Sequence, residues 1–427
     1  MADQLAAVVM AAGIGTRMKS ATPKHLHPLL GRRMVDWVIA AARDAGVERI
    51  VVVASPQTTE LLGDVEVAVQ EEPRGTGDAV RCARSNLDGS EGDVLVLNGD
   101  VPALRPETIE ALVETHRAAR AAATVLAFEP PAPGAYGRIV RDADGGLSRI
   151  VEAADASPDE LHLREVNSGI YVFRADKLWP ALERIDPHNA QGELYLTDTL
   201  GILVADGEPC AVRLADDPFE AEGVNTRAEL ALAAASLRDR INEAHMLAGV
   251  TIVDPAATWI EAGVEIEPDV VVHPYTVIRA GVRIESGAEI GPFAYLRPVS
   301  VIGDRAKIGT FVEVKNTAVG PGAKIPHLSY VGDAEVGEGT NVAAGNITAN
   351  FPHVPGEPKG RTRIGRNVRT GVDTVFDAPV EIGDDAWIAA GSVITDDVPP
   401  GSLAGFPPRQ TTKEGWVYEK HGKPDGD

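Results

Sequence analysis

Cysteine is almost missing: Cys82 and Cys210 are the only two in 427 residues, and they stand far apart. Two distant thiols without metal-ligand spacing exclude a disulfide framework and a zinc site, and point to reduced, buried thiols. Long apolar runs are lacking too. No uninterrupted stretch approaches the ~20 residues that a membrane-spanning helix needs, and the first residues do not show the basic-then-apolar layout of a secretion signal, so a cytoplasmic chain without membrane insertion is expected. Positive charge is in deficit, with 40 Lys and Arg against 63 Asp and Glu and a formal net charge of −23. Phosphate backbones are bound by clustered Lys and Arg, so nucleic acid is excluded as a partner, and any phosphate ligand must meet a local basic site.

What is present falls into two halves. The 44% hydrophobic content is ordinary for a globular chain, and the length allows two domains with a core each. In the second half an aliphatic residue returns at every sixth position: Ile266, Val272, Ile278, Ile284, Ile290, Leu296, Ile302, Ile308 and Val314. The count slips by one residue to Val319, Ile325 and Val331, slips again to Val336 and Val342, and resumes at Ile364, Thr370, Phe376, Ile382, Ile388 and Ile394. A fixed short period means a solenoid. Six residues fit one short strand plus one turn, with Gly, Asp and Pro supplying the turns, so Val264 to Thr395 reads as a parallel β-helix with three such faces per coil. Periodicity does not set its hand.

The first half alternates apolar runs with amphipathic helices. Ala6 to Met10, Ile50 to Ala54 and Val94 to Leu97 read as buried parallel strands, with helices such as Met34 to Ala45 between them, which is α/β architecture. Asn225 or Thr226 can cap a long helix through Ala228 to Leu247 that Gly249 closes. At about 1.5 Å per residue such a helix could span roughly 30 Å and hold two active centres apart. The expected division is residues 1–225, a helical linker at 226–249, and the β-helix with its tail at 250–427. The tail after Gly415 is polar and expected to fray.

Chemistry enters at the end of the first strand. Ala11, Ala12, Gly13, Ile14, Gly15, Thr16, Arg17 and Met18 form a small Gly-punctuated loop in which missing side chains let backbone N–H groups approach an anion, and Arg17 and Lys24 add charge. The spacing is neither a Walker loop nor a dinucleotide fingerprint. The wider string AAGIGTRMKSATPKHLHPLLGRRM resembles the opening of sugar-nucleotide pyrophosphorylases. QEEPRGTGDA, LNGDVPAL, AYGRIV, VNSGIYVF, NAQGELYLTD and EGVNTRAEL follow in the order of one branch, the N-acetylglucosamine-1-phosphate uridylyltransferases. The resemblance covers nearly the whole chain. It implies a Rossmann-like nucleotidyltransferase domain, a left-handed β-helix, and two activities: acetyl transfer from acetyl-CoA to glucosamine 1-phosphate, then uridylyl transfer from UTP to N-acetylglucosamine 1-phosphate.

For uridylyl transfer the resemblance implies that Asp100 and Asn225 hold Mg²⁺, and that Met10, Ala11, Ala12, Gly13, Gln70, Gly75 and Thr76 receive the uridine, with Asn98 and Gly99 alongside. Arg17 and Lys24 would steady the triphosphate and the attacking phosphate, while Gly137, Glu152 and Asn167 match sugar-holding positions. The chemistry agrees, because joining two polyanions calls for a hard divalent ion on oxygen ligands. Asp100 also stands just after an apolar run, where open α/β sheets place ligands. Taken alone, an Asp after a strand is a turn or a cap, and Asn225 could serve only as a cap.

Acetyl transfer needs a base that takes a proton from an amino sugar, and histidine suits that range. His327 lies in AKIPHLSYVGDAEVG, which resembles the acetyltransferase catalytic segment, and Glu313 matches the acidic partner that orients the base. Arg297, Lys315, Tyr330 and Asn341 match sugar-phosphate contacts, Asn350 the residue near the amine, and Ala344 and Ala390 the acetyl-CoA channel. The channel departs from the family pattern. Phe351, Pro352 and His353 stand where Tyr-Asp-Gly is usual, the loop VPGEPKG is longer, Val372 replaces a Ser, and Arg409 is out of register. The resemblance further implies a homotrimer whose neighbours complete each acetyl site. Against the bifunctional reading stand a monofunctional nucleotidyltransferase with a purely structural solenoid and a silent scaffold subunit.

Overall fold

The computed structural model describes residues 5–13, 15–88, 92–352, 354, 356–405 and 410–421. Ile14, His353 and Arg409, singled out above, lie outside the described residues, as does the end of the polar tail. The chain divides into two compact units, Met1–Leu237 and Arg238–Asp427.

The first unit is built on strands β1 (Leu5–Met10), β2 (Arg49–Ala54), β3 (Glu66–Val69), β4 (Asp93–Asn98), β5 (Ala123–Phe128), β6 (Arg138–Arg141), β7 (Leu147–Val151), β8 (Val166–Arg174) and β9 (Cys210–Leu214). They form one sheet in the order β9-β5-β8-β4-β1-β2-β3, with the β6–β7 hairpin hanging from β8. β1 lies parallel between β2 and β4, as its unbroken apolar run demands. Alternation divides its side chains between two cores. Ala6 and Val8 pack with Leu196 and Leu200 on one face, while Ala7 and Val9 pack with Val38 and Leu112 on the other. Helices α1 (Met34–Asp44), α2 (Thr76–Cys82), α3 (Pro106–Ala118), α4 (Ala175–Leu182) and α5 (Asp198–Ala205) cover the faces. The sheet is mixed rather than parallel throughout, because β8 runs antiparallel to both β4 and β5. That reversal brings the start of β8 to the edge where β1 and β4 end.

Helix α6 (Arg227–Leu247) opens on a reciprocal cap: Thr226 Oγ1 accepts from Glu229 N at 3.2 Å and the Glu229 carboxylate accepts from Thr226 N at 2.9 Å. Thr226 is therefore the cap, and the Asn225 side chain is left for other work.

The second unit is a parallel β-helix of three stacked sheets of short strands. Val271 opposes Glu289 and then Lys307 on one sheet, Val277 opposes Tyr295 and then Glu313 on the second, and Arg283 opposes Val301 and then Ala318 on the third. Each coil thus contains three hexads. The residues on the six-beat, Val272, Ile278, Ile284, Ile290, Leu296, Ile302, Ile308 and Val314, are all at 0% exposure and form the core. The slip seen in the sequence is real, since Lys307 opposes Lys324 and Glu313 opposes Tyr330, one residue short of the earlier spacing. The coil begins earlier than the sequence period indicated, at Thr251–Ile252, and continues to Leu403–Ala404. The tail, expected to fray, forms a short exposed helix, Trp416–His421.

Candidate functional site

In the first unit the loop after β1 and the turn after β4 lie side by side, because Met10 opposes Asn98 in register and Gly99 N donates to Met10 O at 2.9 Å. Gln70 follows β3, and Asn167 stands at the start of reversed β8. One sheet edge therefore gathers the sequence-predicted residues. A cavity of about 230 Å³ is lined by Met10, Gly13, His25, Gln70, Thr76 and Asp100 among others, and a neighbouring one of about 620 Å³ by Arg17, Asn98, Asp100, Tyr136, Ser168 and Asn225 among others. Ala11 is buried beneath the loop, and Ala12 and Gly75 line the smaller cavity.

Lys24, buried at 9% exposure, bonds both Asp100 and Asn225, the latter at 3.1 Å from Nζ to Oδ1. Arg17 reaches the same Asn225 Oδ1 at 2.9 Å. Two side-chain oxygens from distant parts of the chain thus converge on a cation. Among the described residues no group of three or more His, Cys, Asp or Glu forms a metal cage. A pair of oxygen donors facing an open cavity is instead what Mg²⁺ takes when substrate phosphates and water complete its octahedron, so the donor set fits that ion.

Gln70 is buried and donates to Gly75 O at 3.2 Å and to Asp78 at 3.0 Å, which fixes its amide toward the cavity. Gly137, Glu152 and Asn167 are brought together, as Asn167 N donates to Gly137 O at 2.8 Å and a Cβ on Gly137 would stand 3.3 Å from Glu152 Oε2. Burial raises the Glu152 carboxyl above its ordinary value against a hydrogen bond from Thr197, 3.1 Å long. Thr197 was not assigned from sequence, although it lies inside NAQGELYLTD. His25 was also missed, although it lies inside the opening string AAGIGTRMKSATPKHLHPLLGRRM. Burial, opposed by Asp100 and reinforced by Lys24, lowers its pKa to about 4.

In the second unit Asp333, another residue without a sequence assignment, anchors a polar knot. It accepts from Asn316 at 2.6 Å, pairs with Lys315 at 3.1 Å, and is bonded by Asn350, whose amide also reaches Tyr330 OH at 3.4 Å. Burial opposes its ionisation, yet Asn316 and Lys315 hold its carboxyl below the ordinary value. Lys359, in the long loop VPGEPKG, lies over the Phe351 ring at 5.9 Å, and the neighbouring Lys315 lowers its ammonium from the ordinary range. Lys315, Lys359 and Arg297 thus concentrate positive charge beside this knot.

His327 and Glu313 are not brought together. Glu313 pairs with Arg297 at 2.8 Å, and the His327 imidazole makes no hydrogen bond among the described residues. The reason is register: Glu313 lies on the second sheet opposite Tyr330, while His327 ends a first-sheet strand opposite Thr310. The His327 carbonyl does accept from Gly345 N at 3.3 Å, which sets the exposed imidazole one coil before Ala344. The positions expected to line the coenzyme channel stack along the axis, since Asp373 N donates to Ala344 O at 2.9 Å and Gly391 N, beside Ala390, donates to Val372 O at 2.8 Å. Asn341 bridges Lys324 and Arg369 through its backbone, beside this column. Phe351 and Val372 are exposed.

Residues 7–197 match the family model of the MobA-like NTP transferase domain. The bifunctional protein GlmU of Streptomyces coelicolor is 46% identical, over 97% of this chain and 94% of that protein. GlmU of Mycolicibacterium paratuberculosis is 44% identical over 97% and 93%, and GlmU of Trichlorobacter lovleyi 44% over 97% and 98%.

Proposed function

The chain belongs to the GlmU family of bifunctional proteins, and we propose, on that premise, a division of labour among its residues. The enzyme makes UDP-N-acetylglucosamine in two transfers: acetyl from acetyl-CoA to glucosamine 1-phosphate in the β-helix, then uridylyl from UTP to N-acetylglucosamine 1-phosphate in the first unit. The convergence of Asp100 and Asn225 on one cationic position carries the assignment of the second transfer.

In that transfer Gln70 and Thr76 hold the base, and the amides of the Met10–Gly13 loop take the uridine. Asp100 and Asn225 hold Mg²⁺, which when bound screens the phosphates and stabilises charge on the α-phosphoryl group. Lys24 exchanges its carboxylate partner for phosphate oxygens, and Arg17 steadies the leaving pyrophosphate. Gly137, Glu152 and Asn167 fix the sugar so that its phosphate oxygen attacks in line.

In the acetyl transfer Arg297, Lys315 and Lys359 take the sugar phosphate, and Asn350 and Tyr330 orient the amino group. His327 accepts the amine proton as the nitrogen bonds to the thioester carbon and the coenzyme thiol leaves. Glu313 pairs with Arg297 and sets its guanidinium for the sugar phosphate. The coenzyme lies along Ala344, Val372 and Ala390, with Phe351 as an exposed wall. The enzyme works in the cytoplasm, where the free thiols of Cys82 and Cys210 stay reduced.

The test supplies UTP, Mg²⁺ and glucosamine 1-phosphate with or without acetyl-CoA and follows free thiol and pyrophosphate separately. Both products are expected with acetyl-CoA. In Asp100→Ala, pyrophosphate release should fall at least about a hundredfold while thiol release stays at the wild-type rate. Pyrophosphate formed only from pre-acetylated sugar would select a purely structural solenoid.

A further inference from the structure

His25 has no role in the chemistry above, yet its ring lines the nucleotide cavity at 5% exposure. Among the described residues it makes no hydrogen bond, and its Nδ1 is enclosed without a partner. An enclosed polar atom with nothing to bond is destabilising, so the fold gains nothing here from an imidazole that an apolar ring would not supply. The opposite edge of the ring is different. A Cβ on Gly13 would stand 3.8 Å from Cε1, and one on Gly99 would stand 3.2 Å from Cδ2. Nε2 is bonded to both of those carbons, so it faces the gap between two residues that have no side chains. The two glycines leave a window from the cavity onto that nitrogen.

The tautomer follows from the same geometry. A neutral imidazole carries one N–H, and enclosing a donor without an acceptor is the costlier choice. The hydrogen therefore sits on Nε2 and points through the window. Gln70 and Thr76 share this cavity with Lys24 and Asp100, so a nucleotide that engages both groups must lay its ribose and α-phosphate past the window.

We propose that His25 is a further nucleotide-binding residue, whose Nε2–H donates a hydrogen bond to an oxygen of the ribose 5′-phosphate segment of UTP. This rests on reading the cavity as the UTP site. The measurement compares wild type with His25→Phe, which keeps a ring and removes the donor, and with His25→Val in case the phenyl group crowds Gly99. Calorimetric titration with UTP plus Mg²⁺, and separately with uridine, gives the dissociation constants, and steady-state assays give KM for both substrates.

The UTP dissociation constant and KM should rise about ten- to a hundredfold, the weight of one hydrogen bond to a charged or strongly polar oxygen. KM for N-acetylglucosamine 1-phosphate and the acetyl-transfer rate should not move, and the melting temperature should hold or rise. Weakening of both UTP and uridine places the acceptor on the ribose, and weakening of UTP alone places it on the α-phosphate. Unchanged affinity for both ligands in a variant with wild-type acetyl transfer overturns the proposal. A wild-type protein that does not bind UTP overturns the site assignment itself.

Discussion

Asp333 and Glu152 show how the same chemical group meets opposite fates when buried. Asp333 has a lysine and two amides around it, and its carboxyl lies below the ordinary 3.8 despite burial. Glu152 has one hydroxyl donor, with Asp198 and Asp155 near, and burial carries its carboxyl upward. The depressed Asp333 contributes stability above its unfolded value, and this is lost as pH falls through the lower, folded value. Asp333→Asn should therefore melt below wild type at pH 7, with a gap that narrows as pH falls below the ordinary 3.8. Thermal unfolding at several pH values checks this, and a gap independent of pH would count against it. Asp333 also shows what a residue-by-residue reading misses: its segment resembles a catalytic motif, but the partners Asn316, Lys315 and Asn350 come from other coils.

At the level of elements, the segment Glu193 to Thr197 ties the two ends of the proposed uridylyl site together. Leu194 N donates to Arg74 O at 2.8 Å, Gly77 N to Leu194 O at 2.8 Å, and Leu196 N to Thr76 Oγ1 at 3.0 Å, while Thr197 holds Glu152. Gly75 makes the approach possible. Its φ of 115° lies where side chains are strained, and a Cβ would stand 2.5 Å from Leu194 O. Gly75→Ala should cost about 1–3 kcal/mol, since the backbone must shift, and should raise KM for both substrates of uridylyl transfer together. Steady-state kinetics with each substrate varied, plus a melting curve, measure it; a change confined to UTP would deny the link between base and sugar ends. The sequence showed QEEPRGTGDA and NAQGELYLTD as separate strings, and only the packing of one on the other explains why both are needed.

For the molecule as a whole, the β-helix carries an exposed column that its own core does not use. Tyr275 stacks on Phe293 at 4.8 Å and Phe293 on Phe311 at 5.1 Å, with Leu328 next in the same turn position. Each has positive φ, between 46° and 65° like the other non-glycine turn residues of the coil. Three exposed rings in line invite burial against another chain. We expect a homotrimer, read by light scattering as three chains of 45.0 kDa. A monomer at micromolar concentration would count against acetyl sites completed by neighbouring chains. Among the described residues no helix is long and apolar enough to cross a membrane.

Local rules were enough for much of this protein. A side chain on the inside of a coil must be apolar whatever its neighbours are, so the six-beat of Ile284, Ile290 and Leu296 specified the β-helix. An unbroken run such as Ala6 to Met10 specified a strand buried on both faces, and family motifs pointed to most of the candidate site. Tertiary structure decided what depends on distant residues. The reversal of β8 brings Asn167 to the edge shared by Met10 and Asn98, Lys24 covers the Asp100–Asn225 pair, and Glu313 turns to Arg297 rather than His327. It also opens His25 to a cavity between two glycines far apart in the chain. Periodicity records which way a residue faces within its own element, whereas charge pairing and access to a cavity are settled by whichever element packs alongside.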